Sequence, residues 1–154
     1  MKYTKSLLIY QDRPTYGFLL KLIIMAVPLA SLAGSISLLS SGDSTGSIVL
    51  LIEAFIIGLI FWGVFPRSYQ VYEDHLRIVL GGPFSINVEF SKIESIRVTS
   101  RLILSVNFIT RFTKSYVEIR KQKGFSIAIT PRDYDSFIEN ANMALSQWIE
   151  TNMK

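Results

Sequence analysis

The sequence predicts an α+β protein: an N-terminal two-helix hairpin apolar enough to cross a membrane, then a small antiparallel β-sheet or partly open barrel closed by a C-terminal α-helix. Three observations predict it. Apolar residues concentrate in two long runs near the N-terminus. The remainder of the chain alternates with period two in short stretches broken by turn residues. After residue 130 the period changes to that of an amphipathic helix.

The composition agrees. Of 154 residues, 49% are hydrophobic and only 18% charged, against roughly 25% charged in average soluble domains. The mean hydropathy is +0.35. With no cysteine there is neither a disulfide scaffold nor a thiol nucleophile, and the single histidine, His75, cannot build an imidazole-rich metal site. A net charge of +4 suits an anionic membrane face and is too small to argue for nucleic acid. No cofactor, metal or catalytic activity is expected. Gly81-Gly82-Pro83 lacks the lysine and following helix of a phosphate loop, and there is no nucleophile elbow.

Leu22 to Leu39 contains no charge and Ser47 to Phe65 contains one, Glu53. Each run is about 27–29 Å long as a helix, close to the thickness of a bilayer's hydrocarbon core. The expected spans are about 18–39 and 47–65. The polar link Ser40-Ser41-Gly42-Asp43-Ser44-Thr45-Gly46 makes them an antiparallel hairpin. Lys2, Lys5, Arg13 and Lys21 precede the uncharged run that starts at Leu22 and Arg67 follows the second run, whereas the link carries only Asp43. The positive-inside rule therefore puts both termini in the cytoplasm of a multi-pass protein of the inner (cytoplasmic) membrane. Tyr10, Tyr16 and Trp62 are expected as interface aromatics. Pro28 should bend the first span. Small residues Ala26, Ala30 and Gly34, with Ala54 and Gly58, are expected to pack the two helices together.

Glu53 is the polar exception. In an antiparallel hairpin it falls level with Ser31, Gly34 and Ser35. Two readings stand: a proton or cation relay, or a carboxyl hydrogen-bonded to Ser31 and Ser35. The second is preferred, since a relay needs more than one ionisable group.

Beyond Pro66 the strands follow one another. Tyr69 and Val71, then Leu76, Ile78 and Leu80, alternate across a Glu73-Asp74 turn. Phe84, Ile86, Val88 and Phe90 come next, then Ile96 and Val98, then Val117 and Ile119, and finally Phe125, Ile127 and Ile129 after Arg120-Lys121-Gln122-Lys123-Gly124. Thr130 is the expected N-cap of the last helix, with Pro131 at its first position and Asp133 at the positive end of its dipole. Tyr134, Phe137, Ile138, Ala141, Ala144, Leu145 and Trp148 form its buried face. The chain divides into residues 1–66, tail and hairpin, and 67–154, a cytoplasmic β-domain.

Strands followed by one amphipathic helix, together with Pro66-Arg67-Ser68-Tyr69-Gln70-Val71-Tyr72-Glu73-Asp74, Leu76-Arg77-Ile78-Val79-Leu80-Gly81-Gly82-Pro83, Ile93-Glu94-Ser95-Ile96 and Ile127-Ala128-Ile129-Thr130-Pro131-Arg132-Asp133, resemble bacterial membrane proteins with a PH-like (pleckstrin-homology-like) domain. The resemblance spans roughly residues 66–149. It implies a seven-strand bent sheet or partly open barrel capped by the helix, and it implies no enzyme activity. Where phosphoinositide-binding PH domains place cations in the first hairpin loop, this chain has Glu73-Asp74-His75, so that site is not carried over.

Two segments are candidate contacts with lipid or a partner. Arg120, Lys121 and Lys123 form a basic hairpin tip, worth about 1 kcal/mol per residue near an anionic surface. Arg101, Arg111 and Lys114 bracket the apolar stretch between them, which fits further strands better than a membrane-contacting loop. The expected function is a non-catalytic, membrane-anchored binding or scaffold module. Its partners would be the lipid bilayer, anionic headgroups, a partner protein or another copy of itself. An oligomeric ion or proton pathway around Glu53, and a structural subunit of a larger membrane complex, are the alternatives.

Overall fold

The computed structural model describes residues 6–100, 105–111 and 113–152. The order is β1 (Leu8–Asp12), α1 (Phe18–Ser40), α2 (Ser44–Val64), β2 (Ser68–Tyr72), β3 (His75–Val79), β4 (Ser85–Glu89), a 3-10 turn (Phe90–Lys92), β5 (Ile93–Thr99), β6 (Ser105–Phe108), β7 (Tyr116–Lys121), β8 (Ser126–Ile129) and α3 (Tyr134–Asn152). The α+β class and the hairpin, sheet, helix order are as the sequence predicts.

The strands form two four-stranded sheets, ordered β1-β2-β3-β4 and β5-β7-β8-β6. Two features differ from the expected seven antiparallel strands. β6 runs parallel to β8, Ser105 opposite Ser126 and Phe108 opposite Ile129. β1 comes from ahead of the hairpin and pairs antiparallel with β2, Gln11 opposite Gln70 and Asp12 opposite Tyr69. The helical hairpin is thus inserted between two neighbouring strands of one sheet, and a boundary at 66/67 separates β1 from the sheet to which it belongs.

Alternation decides the core. Tyr69 and Val71, Leu76 and Ile78, Val117 and Ile119, and Ile127 and Ile129 all point between the sheets and are buried, as period two requires. α3 closes the space with Phe137, Ala141, Ala144 and Leu145. The Phe137 ring meets Tyr69 and Tyr10 edge-on, each with centroids 6.3 Å apart, so Tyr10 is a packing residue of the domain rather than an interface aromatic. The cap of α3 also differs from expectation. Asp133 accepts from the Ser136 N–H (3.1 Å) and hydroxyl (2.7 Å), while its carbonyl accepts from the Phe137 N–H. Thr130 is occupied elsewhere: its Oγ1 accepts from the Thr110 N–H at 3.0 Å and lies 2.8 Å from the Thr110 hydroxyl.

α1 and α2 are long and apolar enough to cross a membrane, with mean hydropathies of 2.2 and 2.4 in their most apolar windows, of which only 6% and 11% is buried. A core helix of a soluble protein would be mostly covered. Between the helices the Ser35 hydroxyl donates to the Ser47 carbonyl (3.1 Å) and lies 2.8 Å from the Ser47 hydroxyl. Ala54 is buried, and a Cβ on Gly34 would stand 3.0 Å from Leu50. Ala26 and Ala30, expected in this seam, face outward. Asp43 starts α2 by accepting from the Gly46 N–H at 2.8 Å.

Candidate functional site: the hairpin-bearing pole

Strand register gives the domain two ends. At one lie the end of β1, the start of β2, the end of β3 and the start of β4, since Asp12 opposes Tyr69, Ser68 opposes Val79 and Val79 opposes Ser85. Both helices attach here. The Gly17 N–H donates to the Thr110 carbonyl (2.8 Å), the Thr110 hydroxyl to the Thr15 carbonyl (2.7 Å), the Tyr16 hydroxyl to the Pro66 carbonyl, and the Arg67 N–H to the Val79 carbonyl (2.7 Å). The chain is therefore held to the domain immediately before α1 and immediately after α2. Burial raises the Tyr16 phenol above its ordinary value, opposed by the nearby Arg67 charge, and burial raises Tyr69, whose hydroxyl donates to the Phe108 carbonyl at 3.1 Å.

The β3–β4 turn seats the end of α2. A Cβ on Gly81 would fall on the Trp62 carbonyl, and one on Gly82 (φ +63°) would meet the Trp62 ring. Gly81-Gly82 is where strand turn and helix backbone touch, which only glycine permits. Arg67 lies over the Trp62 ring, 5.4 Å from its centroid.

Beside this contact, among the described residues, no strand pairs with the outer edge of β4 or of β6. β4 and β6 are the outer strands of their sheets. Between them and the last turns of α2 is a groove of about 560 Å³, walled by Leu59, Ile60, Gly63 and Val64 of the helix and by Leu80, Phe84, Ser85, Ile86 and Phe108 of the domain. Among the described residues Ser85 is its one polar lining residue.

The expected site residues separate. Arg111 is at the hairpin-bearing pole, its guanidinium 5.0 Å from the Tyr134 ring centroid, and Lys114 is exposed just before β7. Arg101 lies outside the described residues. Arg120, Lys121 and Lys123 are at the opposite pole: β7 begins beside the end of β8 and carries the chain away for six residues, about 20 Å. There the Arg120 Nε is 3.1 Å from a Glu94 carboxylate oxygen. The same far end holds Asp74. Burial raises its carboxyl, but hydrogen bonds from His75 and Ser6 outweigh this and leave it below its ordinary value.

Glu53 is exposed on the outside of the hairpin, with no hydrogen bond or ion pair among the described residues. Ser35 pairs with Ser47 instead, and Ser31 is half-buried without a bond to Glu53. Among the described residues no group of three His, Cys, Asp or Glu could hold a metal ion.

β1, the Gly81–Trp62 contact and the groove were not legible in the sequence reading. Only β1 left a trace, the short β-prone run Leu8-Ile9-Tyr10 ahead of Pro14.

Two four-stranded sheets packed under one C-terminal helix, carried on an apolar hairpin, make up a small β-domain. Residues 67–141 match a family model described as "Bacterial PH domain", so the chain carries a bacterial PH-like domain. The match runs from the start of β2 into α3, and it leaves β1 and the hairpin outside. No curated protein matches the chain and no solved structure does.

Proposed function

We propose that this protein is a membrane-anchored, non-catalytic binding module. The hairpin crosses the inner membrane twice, both termini lie in the cytoplasm, and the PH-like domain is held with its hairpin-bearing pole against the cytoplasmic leaflet. The observation that carries this is the insertion of two exposed apolar helices between β1 and β2. Both ends of the hairpin return to the same domain face, so both lie on one side of the bilayer. Arg13, Lys21, Arg67, Arg111 and Lys114 cluster around those attachments, where an anionic leaflet attracts them. The far pole, with Lys121, Lys123 and exposed Phe125, is left open to the cytoplasm and available to a partner protein.

The absence of cysteine makes the test direct. Full-length Asp43→Cys and Lys123→Cys variants would be treated with a membrane-impermeant maleimide in intact spheroplasts. Asp43→Cys should label at once and Lys123→Cys only after lysis. Labelling of Lys123→Cys in intact cells, or of neither site before lysis, would overturn the proposed topology.

A further inference from the structure

The groove between α2 and the outer strands β4 and β6 is larger than a packing defect and falls within the roughly 300–1,000 Å³ of ligand pockets. We propose that it takes one acyl tail of a phospholipid from the surrounding bilayer. The inference rests on the hairpin lying in the membrane and adds a ligand site to that reading.

Three observations select this occupant. Among the described residues the lining is apolar apart from Ser85, so these walls offer a tail almost nothing to desolvate and a polar ligand almost nothing to bind. One wall of the groove, Leu59 and Ile60, is also the exposed outer flank of α2, 49% and 53% accessible. Whatever surrounds the span at that height is continuous with the groove, and around a spanning helix that is hydrocarbon. The groove lies at the last two turns of α2, beside Trp62 and Arg67, where the bilayer gives way to headgroups. A tail can therefore lean from the leaflet into the groove without crossing water. A tail already in hydrocarbon gains no transfer energy of its own. The gain is in covering Phe84, 58% exposed, with Ile86 and Phe108 behind it, which otherwise face water.

The test uses the full chain reconstituted in phosphatidylethanolamine–phosphatidylglycerol vesicles doped with a phospholipid carrying a diazirine at the end of one tail. After irradiation, adducts are mapped by peptide mass spectrometry. Adducts are expected at Ile86 and Phe108 as well as on exposed span residues such as Ile52 and Phe55. Gly63 supplies the blocking variant: a Cβ there would stand 3.8 Å from the Phe84 ring, an ordinary contact. Gly63→Ala should keep the groove adducts, and Gly63→Leu should reduce them about tenfold with span adducts unchanged. Span adducts without groove adducts in the wild type, as a groove filled by a second copy would give, overturn the tail site and leave the membrane reading standing. Groove adducts indifferent to Gly63→Leu also overturn it. Absence of span adducts overturns the membrane reading itself. The wild-type map decides the first point even where a variant fails to fold.

Discussion

Asp133 sits where β8 gives way to α3 and serves both. Its carboxylate accepts from the Ser136 N–H and hydroxyl, and its own N–H donates to Asp12 of β1 at 2.9 Å, across 121 residues. The Ser136 hydroxyl, then the Ser136 N–H, hold the charged form, so the carboxyl ionises below its ordinary 3.8. A carboxyl depressed on folding stabilises the fold above its unfolded value, and that contribution disappears as pH falls through the lower, folded value. Asp133→Ala should lower the melting temperature of the full chain at neutral pH, and the difference from wild type should shrink as the pH is taken below the ordinary 3.8. Thermal melts followed by circular dichroism at both pH values check this; an equal difference at both would remove the capping role. Glu53 illustrates the opposite situation. Its apolar surroundings in the sequence put it in the second long helix, as found, but neither Ser31 nor Ser35 turns to it, because the seam between the helices passes through Ser35, Ser47 and Ala54.

Among the elements, β1 has the largest consequence for its size. Five residues cover the outer edge of β2, and Tyr10 and Ile9 pack against the core. Full burial of such a side chain is worth about 1.5–3 kcal/mol; two half-buried ones contribute part of that, which still counts against the 5–15 kcal/mol that holds a typical domain. Residues 67–152 alone should therefore fail to melt cooperatively. A chain joining residues 6–17 directly to 66–152 through a short glycine–serine linker should fold, because Tyr16 already touches Pro66. Heteronuclear NMR dispersion and urea melts of the two chains make the comparison. Cooperative folding of 67–152 would show β1 to be dispensable.

On the scale of the whole molecule, the two poles of the domain carry separate basic groups, and the hairpin chooses between them. In the proposed orientation Arg111 and Lys114 lie near the leaflet, each contributing about 1 kcal/mol on an anionic surface, while Arg120, Lys121 and Lys123 stand about 20 Å further out, beyond the Debye length of physiological salt. Energy transfer from a dye on a Gln122→Cys variant to acceptor lipids in anionic vesicles reads the domain's distance from the bilayer. Reversing Arg111 and Lys114 to glutamate should reduce the transfer, as added salt should. Reversing Arg120, Lys121 and Lys123 should leave it unchanged. The reverse pattern would make the tip the membrane contact.

The sequence by itself determined the features whose signal is local. Two apolar runs make two helices, period two places Val71, Ile78, Val117 and Ile127 inside, and period 3.6 places Phe137, Ala141 and Leu145 on one face of α3. Each follows from residues within a few positions of one another. Tertiary structure alone decided what depends on distant partners: that Leu8–Asp12 joins Ser68–Tyr72 across the whole hairpin, that Thr130 answers Thr110 and leaves the cap to Asp133, that Gly81 meets the Trp62 backbone, and that β4 and β6, the outer strands of their sheets, lie beside α2. No periodicity encodes such contacts, because they arise only when burial of the shared core brings segments tens of residues apart into register.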